Sequence, residues 1–255
     1  ETCMAEKAIL EKIYVNEGVG VPIYRQIKEQ VESLVESNQL KPGDMLPSET
    51  KLAEHLGVSR MTVRQAMQEL VQQGLAIRKR GKGTIISPPK IVQPLFAVTS
   101  FTDSMSEAGV TVRNKLLHFE LIAPDPLLRK NLQIGEGDLA IEILRMREAS
   151  GLPVSLQRSF LSFDLAKNLV EIQDKLSTES LYKLLATYCN VTPAASETLE
   201  IRSAKSSHAK LLNIATGDPL FYVEAITRSK DGVPIEYVEA YYRGDRFKFT
   251  LFNKL

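Results

Sequence analysis

The chain has 255 residues, 44% of them hydrophobic and 25% charged, with a formal net charge of +1; that is room for two domains, with any attraction to nucleic acid local rather than global. No apolar run reaches the length of a membrane span, no secretory signal is apparent, and Cys3 and Cys189 are too few for a disulfide framework, so a reducing cytoplasm is expected and no membrane partner. His55, His118 and His208 are scattered, so neither a metal site nor a cofactor is expected.

In chain order, Glu1–Gly20 is an N-terminal extension to which no function is assigned. The first readable elements follow Pro47. Ser48 is suited to cap a helix over Glu49–Leu56, Gly57 to end it in a left-handed conformation, and Ser59 to cap a second helix about three residues later. That spacing is the one a DNA-binding helix-turn-helix requires. In the second helix Val63, Ala66, Met67 and Leu70 recur at helical spacing and face a core, which leaves Arg60, Thr62, Arg64, Gln65 and Gln68 outward. Arg60 and Arg64 are one turn apart, and arginine can read guanine bidentately from the start of a recognition helix. Ala76–Ile86 reads as a hairpin with Gly81-Lys82-Gly83 at its tip, so that Lys79, Arg80 and Lys82 meet phosphates or the minor groove. The bland alternative is a solvated charged face and an ordinary turn.

Residues 88–96 read as a linker because of their prolines. Beyond them the chain repeats itself. Leu132-Gln133-Ile134-Gly135-Glu136-Gly137-Asp138 recurs 80 residues later as Leu212-Asn213-Ile214-Ala215-Thr216-Gly217-Asp218, and Ser150-Gly151-Leu152-Pro153-Val154 recurs 81 later as Asp231-Gly232-Val233-Pro234-Ile235. Each half reads as strand, helix, Gly-Asp turn, strand, hairpin turn, strand. The strands are Leu116–Ile122, Leu139–Arg147 and Val154–Leu161, then Ala195–Arg202, Leu220–Ser229 and Ile235–Tyr242; the helices begin near Asp125-Pro126 and Ser206. Six strands with helices to one side make an α+β domain over 97–255 with an antiparallel sheet, a pseudo-two-fold repeat and a cleft between the halves.

Strand parity nominates the cleft's polar lining. Ile141, Ile143, Arg145 and Arg147 share a face, with the two arginines roughly 7 Å apart along the strand, a spacing suited to one phosphate or carboxylate. Ser155, Gln157 and Ser159 share a face, as do Glu236, Val238, Ala240 and Tyr242. The alternative is an edge-strand pair of solvent-facing charges.

The run Pro22-Ile23-Tyr24-Arg25-Gln26-Ile27, with Pro42-Gly43-Asp44, Leu46-Pro47-Ser48-Glu49, Val58-Ser59-Arg60-Met61-Thr62-Val63-Arg64-Gln65-Ala66 and Gly81-Lys82-Gly83-Thr84, resembles the winged helix-turn-helix domain of GntR-type bacterial transcription regulators, here over 21–87. The resemblance implies DNA contacts from Ser48, Lys51, Ser59, Arg60, Thr62, Arg64, Lys79, Arg80, Gly81, Lys82 and Gly83. Where the family usually has arginine after Leu-Pro-Ser-Glu, this chain has Thr50 and then Lys51, which can take a phosphate contact as a point charge.

Ser100-Phe101-Thr102, Arg145-Met146-Arg147, Ser180-Leu181-Tyr182 and Tyr242-Arg243-Gly244-Asp245-Arg246 resemble the UTRA effector-binding domain of HutC-type GntR regulators, which is similar in fold to chorismate lyase. For this chain the resemblance implies effector contacts from Ser100, Phe101, Thr102, Arg145, Arg147, Gln157, Ser180, Tyr182, Glu236 and Tyr242. Thr102, the two arginines, Ser180 and Tyr182 would hold a phosphate, Glu236 and Tyr242 a sugar. Amino-sugar sensors carry glutamate where this chain has Gln157. The expectation is a homodimeric repressor, not an enzyme, that binds a palindromic operator and is released by a small phosphorylated sugar. The alternative is an enzyme on the lyase-like fold with a DNA-binding domain attached, for which the chain offers no spaced acid-base or nucleophile constellation.

Overall fold

The computed structural model describes residues 6, 8–79, 83–94, 111–189, 194–229 and 231–250. Contacts divide the chain into two compact units, Glu1–Lys90 and Ile91–Leu255.

Among the described residues the first unit includes three helices of eight residues or more and a strand pair. Helix α1 (Ile23–Glu36) is additional to the elements expected from periodicity; it buries Ile27, Val31 and Leu34, which fall on one face. Helix α2 (Glu49–Leu56) begins where the Ser48 hydroxyl accepts from the Lys51 amide at 3.2 Å and ends at Gly57, whose φ of 68° a side chain would strain. Helix α3 (Arg60–Gln72) begins with the same device, Ser59 accepting from the Thr62 amide at 3.2 Å. Val63, Ala66, Met67 and Leu70 are buried against Ile27, Val31 and Leu52. Strands β1 (Ala76–Lys79) and β2 (Gly83–Ile86) pair antiparallel, with Met45 bridging Ile85. This is a winged helix-turn-helix.

The second unit opens with strand β3 (Ile91–Pro94), inside the stretch expected to be linker; it pairs in parallel with β10 (Phe247–Thr250). Between them come β4 (Val112–Ile122), α4 (Pro126–Leu132), β5 (Ala140–Ala149), β6 (Leu152–Ser162), α5 (Phe163–Ala166), α6 (Leu181–Tyr188), β7 (Ala194–Ser203), α7 (Ser206–Leu212), β8 (Pro219–Arg228) and β9 (Pro234–Arg243). The six long strands form one antiparallel sheet in the order β4-β5-β6-β9-β8-β7, so the two triplets meet at β6 and β9. The duplication extends to backbone detail. Gln133 and Asn213 end their helices at φ 54° and 53°, Gly137 and Gly217 both sit at 93°, and Asp138 and Asp218 accept from the amides of Gly135 (2.6 Å) and Ala215 (2.9 Å).

Helices lie on both faces of this sheet, which corrects the expectation of helices to one side. Leu128 and Leu132 of α4 pack with Phe160 and Tyr237, and Leu212 of α7 packs with Met146, Leu156 and Tyr241. On the opposite face, Ala166 of α5 and Leu181, Leu184 and Leu185 of α6 pack with Ile141, Ile143, Leu161 and Ile235. The α5–α6 segment has no counterpart among the described residues of the second half, so repeat symmetry could not announce it. Beyond α6 on that same face, β3 and β10 contribute Ile91, Phe247 and Phe249, packed with Val154, Ala240 and Tyr242.

Candidate functional site

In the first unit the two helix caps set the exposed face. Because Ser48 and Ser59 fix where α2 and α3 start, Arg60, Arg64, Gln65 and Gln68 project outward and are exposed, while Thr62 is half-buried with its hydroxyl 2.8 Å from that of Ser59. Ser48, Lys51, Lys79 and Gly83 are also exposed. A groove of about 500 Å³ is lined by Ser48, Glu49, Arg60, Arg78, Lys79 and Thr84 among others, so the starts of both helices and the strand pair border one surface. Arg78 and Glu49, both in its lining, form an ion pair at 3.1 Å, and Glu6, also in the lining, pairs with Lys51 at 2.6 Å. Arg80, Gly81 and Lys82, expected at the wing tip, lie outside the described residues.

In the second unit the register gathers polar side chains on the face that α6 covers. Residues directly opposite in adjacent strands share a face. Arg145 is opposite Gln157, which is opposite Ala240; Arg147 is opposite Ser155, then Tyr242; Leu161 is opposite Glu236, then Thr227. Arg145 is 2% exposed and Glu236, Ser159 and Thr227 are 0% exposed. Strand β5 lies between β4 and β6, so the solvent-facing edge pair does not describe these arginines.

Hydrogen bonds connect the cluster. Arg147 Nη2 donates to Gln157 Oε1, and Gln157 Nε2 donates to Ser159 Oγ at 3.1 Å. Thr227 Oγ1 donates to Glu236 Oε2 at 3.2 Å and lies 3.1 Å from the Tyr182 hydroxyl. Among the described residues Arg145 Nε, Ser155 Oγ and Glu236 Oε1 have no hydrogen-bond partner although buried, a state that normally costs free energy and marks a place for a polar ligand or water. Burial, and then the neighbouring Arg147, push the Arg145 guanidinium down to about 10. Burial lowers Arg147 as well, and Tyr242, hydrogen-bonded to it, offsets part of the effect. Buried cations in this state are suited to a multiply charged oxyanion.

Arg145, Arg147, Gln157, Glu236 and Tyr242 are thus brought together, as parity expected. Tyr182 reaches the cluster from α6, but its hydroxyl faces Thr227; Ser180 caps α6, accepting from the Lys183 amide at 3.5 Å. Ser100, Phe101 and Thr102 lie outside the described residues. Thr227 is the member that sequence reasoning missed. Its signal was its place on β8, opposite Glu236 and 80 residues after Arg147.

Residues 23–86 match the model of the bacterial regulatory proteins of the gntR family, and residues 107–248 match that of the UTRA domain. The chain is 35% identical to the HTH-type transcriptional repressor NagR of Bacillus subtilis, over 92% of this chain and 96% of that one. It is 30% identical to the mannosyl-D-glycerate transport/metabolism system repressor MngR of Escherichia coli, over 90% and 95% of the two chains. Among solved structures, PhnF from Mycobacterium smegmatis superposes with a TM-score of 0.64 at 27% identity, covering 89% of this chain and 98% of that one. These matches agree with the two units of the fold above: the chain belongs to the gntR family of bacterial regulatory proteins, in the branch whose second domain is UTRA.

Proposed function

We propose that this protein is a ligand-controlled transcriptional repressor of the bacterial cytoplasm, a homodimer that leaves its operator when a small phosphorylated metabolite such as a sugar phosphate binds the second unit. The observation that carries the reading is the pair of adjacent arginines buried on β5 beside the buried Glu236. A phosphomonoester satisfies both guanidinium groups with charge-assisted bonds, and a hydroxylated remainder reaches Glu236 Oε1. The relatives NagR and MngR are named as repressors, which supports the sign of regulation. In the first unit Arg60 and Arg64 read base edges, while Ser48, Lys51 and Lys79 contact phosphates; a single such head makes too little contact for tight specific binding, so two act together.

Release from DNA tests the reading. A panel of sugar phosphates is screened by thermal shift, because a ligand of the native state stabilises it by mass action. The compound that stabilises the protein is then titrated into the operator complex. Arg145→Ala is expected to bind operator like the parent and to resist release; ordinary release from the Arg145→Ala protein would remove the anion-binding role.

A further inference from the structure

The duplicated sheet puts chemically opposite pairs at equivalent places. Arg147 and Ser155 are cross-strand partners in the first half. Adding the repeat offsets of 80 and 81 gives Thr227 and Glu236, cross-strand partners in the second. One half presents a cation with a hydroxyl, the other a carboxylate with a hydroxyl. A ligand spanning both is therefore polar in a definite sense: an anionic group at one end and a hydrogen-bond donor at the other.

Thr227 decides which carboxylate oxygen meets that donor. Its hydroxyl has one proton, which goes to Glu236 Oε2 at 3.2 Å; the Tyr182 hydroxyl, 3.1 Å away, must then donate to Thr227. The chain of donation runs from Tyr182 on α6 through Thr227 on β8 to Glu236 on β9. It uses one oxygen of Glu236 and leaves Oε1 without a partner among the described residues. Thr227 and Glu236 are both 0% exposed, so no bulk water substitutes for a lost link.

We infer that Thr227 is the positioning residue that makes the effector site select for a hydroxyl or ammonium donor on the ligand: by holding Glu236 Oε2 it leaves Oε1 to accept from the ligand. The inference rests on the effector reading above and adds that specificity beyond the phosphate is set from β8. Without the Thr227 hydroxyl the carboxylate rotates, and a sugar phosphate keeps little advantage over phosphate alone.

The test measures dissociation constants of glucose 6-phosphate, glucosamine 6-phosphate and inorganic phosphate for the full-length parent, Thr227→Val and Thr227→Ser. For the better sugar, the ratio of its affinity to that of inorganic phosphate is expected to fall about tenfold in Thr227→Val, the loss of one well-placed hydrogen bond. Thr227→Ser, which keeps the hydroxyl, is expected to restore it. General damage to the fold would weaken all three ligands together and leave the ratio standing, so an unaltered ratio in Thr227→Val overturns the inference. So does a ratio that falls equally in Thr227→Ser, which would make the methyl group the cause. A parent protein that binds none of the three overturns the effector reading itself.

Discussion

Arg145 keeps a positive charge at 2% exposure, beside a second guanidinium. Burial is the first cause of its lowered proton affinity and Arg147 the second; the fall from the ordinary 12.5 to about 10 corresponds to a penalty of about 3 kcal/mol in the ligand-free state. The sign is that of a base whose charged form the fold disfavours. The penalty is present in full below about pH 10 and is relieved above it, so ligand-free protein at neutral pH carries all of it. Arg145→Met, similar in length and uncharged, is therefore expected to stabilise the ligand-free protein by about 1–3 kcal/mol, since it removes a charge that burial and the neighbouring Arg147 disfavour, and to raise its thermal midpoint by several degrees. Thermal unfolding of the variant without ligand checks this, and a lowered midpoint would mean that the guanidinium supports the fold rather than burdening it. The same substitution is expected to remove the response to effector. Stability is thus traded for an unfilled charge.

At the scale of elements, the two Gly-Asp turns do one job twice. Asp138 and Asp218 each accept from an amide three residues back, immediately before β5 and β8 begin. Asp138→Ala and Asp218→Ala are expected to cost roughly 1 kcal/mol each, and the double variant their sum, because the turns share no partner. Urea unfolding of the two single variants and the double checks it; a double variant no worse than either single one would show the turns to be coupled. Most of this architecture was legible because its signals are local. Serine caps, a glycine at a helix end, and a repeat with turn residues at fixed offsets all act within a few positions of where they stand. Strand parity carried Arg145, Arg147, Gln157, Glu236 and Tyr242 to one face by the same local logic. What was not legible depends on distance. The layer to which α5 and α6 belong is decided by packing against Ile141 and Leu161, and Thr227 acquires its meaning from Tyr182, 45 residues earlier. A lone threonine in a β-branched strand looks like any other strand former. Lys51, expected to meet a phosphate, is paired with Glu6 from the N-terminal extension, a contact that no pattern around Lys51 announces.

For the whole molecule, repression and sensing are one equilibrium seen from two sites. If bound effector lowers operator affinity by some factor, operator must lower effector affinity by the same factor. Calorimetric titration of effector into free protein and into the operator complex is expected to give that equality; unequal factors would mean that a third binding event intervenes. No described helix is long and apolar enough to cross a membrane, and the second unit is closed in a particular way: β3, which begins at Ile91, pairs with β10, which begins at Phe247. That pairing bears on the order of events during synthesis. The DNA-reading unit is assembled from contacts within the first ninety residues and can fold as it emerges from the ribosome, whereas β3 must wait for almost the whole remaining chain to be translated before its partner exists. The aromatic cluster of Tyr242, Phe247 and Phe249 forms at that same late moment. A message truncated upstream of Phe247 would release a finished reader whose sensor never closed.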